Sequence, residues 1–195
     1  MKVLIDNGHG ENTPGKRSPD GRLREWAYSR EIADIVVSGL RKLGIDAERI
    51  VKEDTDVPLS ERCRRVNTIY NETGKKAILI SIHCNAAGNG TAWMHARGWE
   101  AWTSVGQTKA DILADCLYKA AEEALPGMKI RKDMVDGDSD KESNFYILKY
   151  TKCPAVLTEN FFQDNKEDVE YLLSQQGKET VARIHICGII KYLGL

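Results

Sequence analysis

Short apolar runs alternate with longer stretches of helical periodicity along most of this chain of 195 residues. The run KVLID at 2–6 ends in a loop rich in Gly, Pro, Asn and Ser, and apolar residues at helical spacing then run from near Glu25 to Gly44. The most strongly strand-like stretch is AILISIH at 77–83. Near-continuous apolar strands separated by helices are typical of parallel sheets. The pattern therefore predicts an α/β fold with a mostly parallel, twisted sheet covered by helices on both faces.

The remaining elements follow the same alternation, and no linker, repeat or shift in composition marks a boundary. The prediction is therefore one domain spanning 1–195. The further strands are predicted at 45–50, 98–104 and 154–159, and the further helices at 58–72, 107–124 and over the C-terminal third. The polar run at 131–145 is interpreted as a loop.

Charge, cysteine content and hydropathy exclude several classes of protein. The formal net charge of −1 offers no basic excess to neutralise a phosphate backbone, so nucleic acid is not expected as a partner. The five cysteines are scattered without a CxxC pair and are interpreted as reduced thiols. No apolar run reaches the roughly 20 residues that a membrane helix needs. The N-terminal MKVLID shows no signal peptide, so we expect a protein made in the cytoplasm. We also expect a monomer.

Three polar residues occur where predicted strands end. His9 follows the first strand, His83 ends the strand that begins at 77, and Glu159 ends the strand that begins at 154. Because the carboxyl ends of parallel strands meet at one edge of a sheet, these side chains are expected to lie together despite separations of about 75 residues. Glu25, at the start of the first long helix, is expected at the same edge.

This set of residues suits metal-assisted hydrolysis. Two neutral imidazoles and one carboxylate are the ligands of a catalytic zinc ion, which keeps a fourth position open for water. Zinc makes that water a nucleophile near neutral pH and polarises a carbonyl oxygen. A second carboxylate is needed to carry the proton of the water to a leaving amine. The two glutamates therefore divide into one ligand and one proton carrier.

Each residue alone also has a structural explanation. A histidine between glycines is often a hydrogen-bonded loop residue, and His83 can simply cap its strand. Glutamates favour the first turn of a helix, as Glu25 does. Glu159 is harder to explain structurally, because a carboxylate that ends an apolar strand is costly to bury unless it is paired or used. Together, the four residues favour a metal site.

Four stretches make the chain similar, over nearly its full length, to the zinc-dependent N-acetylmuramoyl-L-alanine amidases of the Amidase_3 family. They are LIDNGHG at 4–10, the helix-opening Glu25, SIHCNA at 81–86 and PAVLTENFFQDN at 154–165. The resemblance implies that His9, Glu25 and His83 bind zinc and that Glu159 is catalytic. It further implies cleavage of the amide between N-acetylmuramic acid and L-alanine in peptidoglycan. Such an enzyme acts at the cell wall after release or export.

The chain departs from the family pattern at three places. Asn7 stands where proline is common, and Asn also suits a turn after a strand. Cys84 replaces a common alanine and is predicted to point away from the metal as a buried filler. Asn160 and the FF pair after it replace a glycine-containing segment, which resembles a phage or prophage-like branch. Asn160 is predicted to orient Glu159 or to contact substrate.

The remaining candidates receive weaker roles. Trp99 and Trp102 are predicted to pack in the core, although exposed tryptophans can stack on sugars. In family terms the 131–145 run lies near the stem peptide, and a solvated connection is the equal alternative. His95 and His185 receive no role.

Two other functions remain open at this point. A metal-free glycoside hydrolase would use Glu25 and Glu159 as its acid and base and would leave both histidines without a function. An inactive or regulatory relative would only bind wall glycan. Release of N-terminal alanine that a chelator stops would favour the amidase, whereas new reducing ends would favour the glycoside hydrolase.

Overall fold

The computed structural model describes residues 1–135 and 137–195. The strands are β1 (Lys2–Asn7), β2 (Ala47–Arg49), β3 (Ala77–Asn85), β4 (Glu100–Thr103), β5 (Lys141–Glu142) and β6 (Ala155–Phe162). The helices are α1 (Glu25–Lys42), α2 (Leu59–Glu72), α3 (Lys109–Ala124), α4 (Tyr146–Tyr150), α5 (Lys166–Leu173) and α6 (Gln175–Leu193). In the part of the chain so described, no helix combines the length and apolar character needed to cross a bilayer.

The strands form one sheet in the order β2-β1-β3-β6-β4-β5. Strands β1, β2, β3 and β6 pair in parallel, whereas β4 runs antiparallel to β6. The predicted α/β fold with a mostly parallel sheet is therefore confirmed. The parallel register pairs Asp6 with Ser81 and His83 with Glu159, so the polar ends of three strands are direct neighbours.

The two faces of the sheet bury different layers of apolar residues. Alternate residues such as Val3, Ile80 and Val156 face the larger core, which includes residues of α1, α3 and α6. The residues between them, such as Leu4 and Leu79, face a smaller core that includes residues of α2 and α4. Because side chains alternate along a strand, the smaller-core face continues into four polar residues at the carboxyl edge of the sheet. These are Asp6, Ser81, His83 and Glu159.

Two predicted strands are shorter in the structure, and one predicted loop contains regular structure. The strands predicted at 45–50 and 98–104 extend only over 47–49 and 100–103. The 131–145 run contains β5, whose two residues pair with Trp102 and Thr103 at the edge of the sheet. Its polar sequence carries no strand period, so only the tertiary pairing reveals it. All five cysteines are free.

The two tryptophans predicted to pack in the core differ in burial. Trp99 is fully buried, as predicted. Trp102 is half-buried and contacts Phe145 and the ammonium group of Lys141.

His185 packs in the core of the molecule on α6. Its Nδ1 donates to the backbone oxygen of Val181 at 2.7 Å, and the Thr158 hydroxyl donates to its Nε2 at 2.9 Å. Burial lowers the pKa of His185 from 6.5 to about 4. His185 is therefore a neutral histidine that packs in the core and has no part in the predicted site.

We expect His185 to reduce stability in acid. Because the pKa in the folded chain lies below that in the unfolded chain, the unfolded chain binds the proton first as the pH falls. Stability that is complete above pH 6.5 is then lost toward pH 4, by roughly 3 kcal/mol. Denaturant titrations should show a flatter pH dependence over that range for His185→Gln, whereas His95→Gln, at an exposed position, should keep the original slope. An unchanged slope in His185→Gln would contradict this account.

Candidate metal centre

The glycines on either side of His9 avoid steric clashes at the end of β1. A Cβ atom on Gly8 would lie 2.3 Å from Cε1 of His83, so only glycine leaves room for that ring. A Cβ atom on Gly10 would lie 2.0 Å from the backbone nitrogen of Asp56. The sequence GHG therefore positions His9 and leaves space for the ring of His83.

His9 itself has a strained backbone that neighbouring arginines hold in place. Its φ angle of 60° lies in the left-handed region, which is uncommon for residues other than glycine. The backbone oxygen of His9 accepts hydrogen bonds from Nη2 of Arg30 and Nη2 of Arg62, each at 3.1 Å. This conformation is therefore stabilised by contacts from α1 and α2.

The three predicted metal ligands converge. Oε1 of Glu25 lies 3.3 Å from Nε2 of His9 and 3.1 Å from Nδ1 of His83. The two imidazole rings are nearly perpendicular, with their centroids 5.0 Å apart. One ligand atom from each residue lies within 4.8 Å of the other two. The chain thus brings together two nitrogens and one carboxylate oxygen that were predicted to share an ion.

These distances fit a zinc ion. Ligand atoms about 2.0–2.2 Å from zinc in a tetrahedral site lie roughly 3.3 Å from each other. The two separations that involve Glu25, 3.1 and 3.3 Å, match that value. Imidazole nitrogens and carboxylate oxygens are also ligands that zinc accepts. The residues present therefore fit the donor chemistry of such a centre, and both separations from Glu25 fit its geometry.

Glu25 is prepared to act as an ionised ligand. Burial favours its neutral form, but hydrogen bonds and charges from His83 and His9 outweigh that effect and hold its pKa below the ordinary value. The backbone N–H of Cys84 also donates to Oε1 at 3.0 Å, and the side-chain amide of Gln163 donates to Oε2 at 3.1 Å. These donors fix the carboxylate in place.

Glu159 has the opposite electrostatic environment. Desolvation and the charges of Glu25 and Glu100 together raise its pKa to about 8, against the opposing influence of His83. Its Oε2 is buried and has no hydrogen-bond partner among the described residues. A carboxyl group of this kind exchanges a proton near neutral pH, which suits general acid–base work.

The site opens into a cavity of about 360 Å³. His9, His83 and Glu159 line it, whereas Glu25 is buried and is not part of its lining. Other lining residues that were not identified from the sequence include the cationic Lys16 and Arg62, Leu59 and Tyr146. Phe145, the last residue of the 131–145 run, also lines the cavity. The pair of histidines and the candidate proton carrier therefore share one entrance.

Asn160 does not have the role predicted for it. Its side chain is fully buried, donates to the backbone oxygen of His83 at 3.0 Å and accepts from the indole N–H of Trp99 at 2.9 Å. Strand alternation places it on the face opposite to Glu159, so it neither orients Glu159 nor contacts substrate. It supports the strand that carries His83. Cys84 is buried in the larger core, as predicted.

Glu100 is a second buried carboxylate that sequence reasoning missed. It faces Glu159 across the pairing of β4 with β6. Its oxygens accept hydrogen bonds from Arg131 at 2.6 Å and Asn85 at 2.8 Å, and Lys141 lies 3.3 Å away. A glutamate between two tryptophans of a predicted strand was the signal that could have revealed it.

Gly8 offers a test of this packing. In Gly8→Ala the new methyl group must displace the His83 ring. We therefore expect zinc affinity to fall by at least about 10-fold, the smallest loss typical when a metal ligand loses the hydrogen-bond partner that orients it. Gly39→Ala is a matched control, because its Cβ would meet only the flexible end of Ile186. Competition with a chromogenic chelator measures both. Equal affinities in the two variants would contradict the steric explanation.

The chain is similar in sequence to a family of known enzymes. The Amidase_3 family model, described as N-acetylmuramoyl-L-alanine amidase, matches residues 3–191. The endolysin of Bacillus phage SPP1 is 29% identical over 197 residues, covering 99% of this chain and 66% of that protein. The amidase CwlM of Bacillus licheniformis is 26% identical over 202 residues, covering 100% of this chain and 70% of that protein. The chain thus spans about two thirds of the length of these relatives.

Solved structures agree with the sequence comparison. The N-acetylmuramoyl-L-alanine amidase from Clostridium difficile 630 superposes with a TM-score of 0.85 at 26% identity, covering 100% of this chain and 97% of that one. Sequence and fold therefore lead to one assignment. The chain belongs to the Amidase_3 family of N-acetylmuramoyl-L-alanine amidases.

Proposed function

We propose that this chain hydrolyses the amide bond between the lactyl group of N-acetylmuramic acid and the L-alanine of the peptidoglycan stem peptide. The observation that carries the proposal is the convergence of His9, Glu25 and His83 beside Glu159 at one cavity. Membership of the amidase family supports the substrate class.

The residues divide the chemistry between them. A zinc ion held by His9, Glu25 and His83 would activate a water molecule and stabilise negative charge on the carbonyl oxygen. Glu159 accepts the proton of the attacking water and donates it to the departing alanine nitrogen. Its raised pKa lets it serve in both directions near neutral pH. Glu25 stays ionised throughout, because the backbone N–H of Cys84 and the side-chain amide of Gln163 donate hydrogen bonds to its carboxylate.

We further propose that residues 1–195 form the catalytic domain and that a monomer is sufficient. All four proposed site residues come from one chain, so the centre requires no partner subunit. Because peptidoglycan lies outside the cytoplasmic membrane, the protein acts after release or export.

The geometry disfavours a metal-free glycoside hydrolase. Such an enzyme needs both carboxyl groups at the sugar. Glu25 is 1% exposed, does not line the cavity and uses both oxygens in hydrogen bonds. It therefore cannot reach a glycosidic oxygen in this arrangement.

The test uses purified zinc-loaded protein and purified peptidoglycan. We expect new N-terminal alanine without new reducing ends, loss of this release with a chelator and recovery with added zinc. New reducing ends would indicate a glycoside hydrolase. Zinc-loaded protein that binds peptidoglycan and releases nothing would indicate an inactive relative.

A further inference from the structure

The second ring nitrogen of His83 has its own buried partner. Nε2 of His83 lies 3.1 Å from the hydroxyl oxygen of Ser81, which lies 2.5 Å from Oδ2 of Asp6. Asp6 and His83 line the cavity, but Ser81 is fully buried and Asp6 is only 1% exposed, so little of this contact surface is open to solvent. The arrangement is a short hydrogen-bonded chain that begins at a proposed zinc ligand and ends at a carboxylate.

The chemistry of the groups sets the direction of these hydrogen bonds. A serine hydroxyl has one proton, and a carboxylate can only accept, so Ser81 donates to Asp6. The hydroxyl oxygen then has only lone pairs to offer to His83, and Nε2 of His83 must carry the proton. In the neutral ring this leaves the lone pair on Nδ1, the atom that faces Glu25.

Arg62 connects this chain to the other histidine. Its Nη1 donates to Oδ1 of Asp6 and to the backbone oxygen of Asn7, each at 2.7 Å, while Nη2 donates to the backbone oxygen of His9 at 3.1 Å. Arg62 and Asp6 form a buried ion pair at 2.7 Å, and further hydrogen bonds offset part of its desolvation cost. One guanidinium group therefore restrains the loop of His9 and the support of His83 together.

We propose that Asp6, Ser81 and Arg62 are positioning residues of the metal centre, which hold His83 in the Nε2-protonated tautomer so that Nδ1 binds the metal. The inference rests on the proposed zinc site and adds the means by which it is preorganised. Outer partners of this kind orient metal-binding histidines and raise their affinity for the ion.

The first test compares variants of Ser81. We expect Ser81→Ala to bind zinc about 10- to 100-fold more weakly in competition with a chromogenic chelator, because the Nε2–H loses its acceptor. Ser81→Thr keeps a hydroxyl in a strand that tolerates β-branched residues, and should restore affinity to within a few-fold. Ser18→Ala removes another buried serine that donates to an aspartate, Asp20, and should leave zinc binding unchanged.

The second test needs no variant. Long-range ¹H–¹⁵N spectra of the zinc-loaded wild-type protein should show His83 with a proton on Nε2 and none on Nδ1. The Nε2 proton should exchange slowly with solvent and should exchange faster in Ser81→Ala. Assignment of the proton to Nδ1, or wild-type affinity in Ser81→Ala, would overturn the proposal even if Ser81→Thr proved unstable.

These readouts separate the inference from the proposed function. Wild-type protein that binds zinc with the expected tautomer but does not hydrolyse peptidoglycan would contradict the function and support the positioning network. Wild-type protein that binds no zinc would overturn both. Full hydrolysis together with a proton on Nδ1 of His83 would overturn the network alone.

Discussion

Glu159→Gln should retain zinc and lose amide hydrolysis by about 10²- to 10⁴-fold, the contribution typical of general acid–base catalysis. Glutamine has nearly the same shape but cannot accept and return a proton. Because burial holds the pKa of Glu159 at about 8, the folded metal-free protein already accommodates an uncharged group there near neutral pH. The substitution should therefore leave the fold and the metal ligands in place.

Release of N-terminal alanine from peptidoglycan and zinc content measure the two properties on the same sample. Glu179→Gln is the matched control, since Glu179 is an exposed glutamate on α6. It should behave as the wild type in both assays. Retained hydrolysis in Glu159→Gln would mean that another group carries the proton.

His83→Ala should lose both zinc and hydrolysis. The substitution removes one of three proposed ligands and leaves the Glu25 carboxylate buried with only His9 as a nearby imidazole. We expect the loss of zinc affinity to exceed the roughly 10- to 100-fold cost of losing an outer partner. Hydrolysis should fall at least as far as in Glu159→Gln.

An exposed histidine provides the comparison. His95→Ala, at an exposed position, should retain zinc and activity. Circular dichroism and denaturant unfolding of metal-free samples would separate ligand loss from misfolding. Zinc affinity equal to the wild type in folded His83→Ala would remove this residue from the metal site.

The convergence of the site was predictable because it depends on topology. His9, His83 and Glu159 follow apolar strands, and parallel strands place their carboxyl ends at one edge. Glu25 could be added because helix starts occupy that edge. The alternation of side chains also correctly placed Cys84 in the core.

The supporting residues were harder to predict, because their roles depend on tertiary contacts. Asp6 and Ser81 continue the alternation of residues that face α2, so the sequence indicates their face but not their partners. Arg62 shows only as one basic residue in a charged helix, and its burial depends on the carbonyl groups of a distant loop. The prediction for Asn160 was wrong because the strand continues through Glu159, which turns the next side chain to the opposite face.

X-ray absorption at the zinc edge of the purified wild-type protein tests the metal centre most directly. We predict one zinc ion per chain, with two imidazole nitrogens and a carboxylate oxygen at about 2.0–2.2 Å, and a zinc signal that is strongly reduced or lost in His9→Ala and His83→Ala. A zinc ion bound through sulfur, or a spectrum that neither substitution changes, would contradict this prediction.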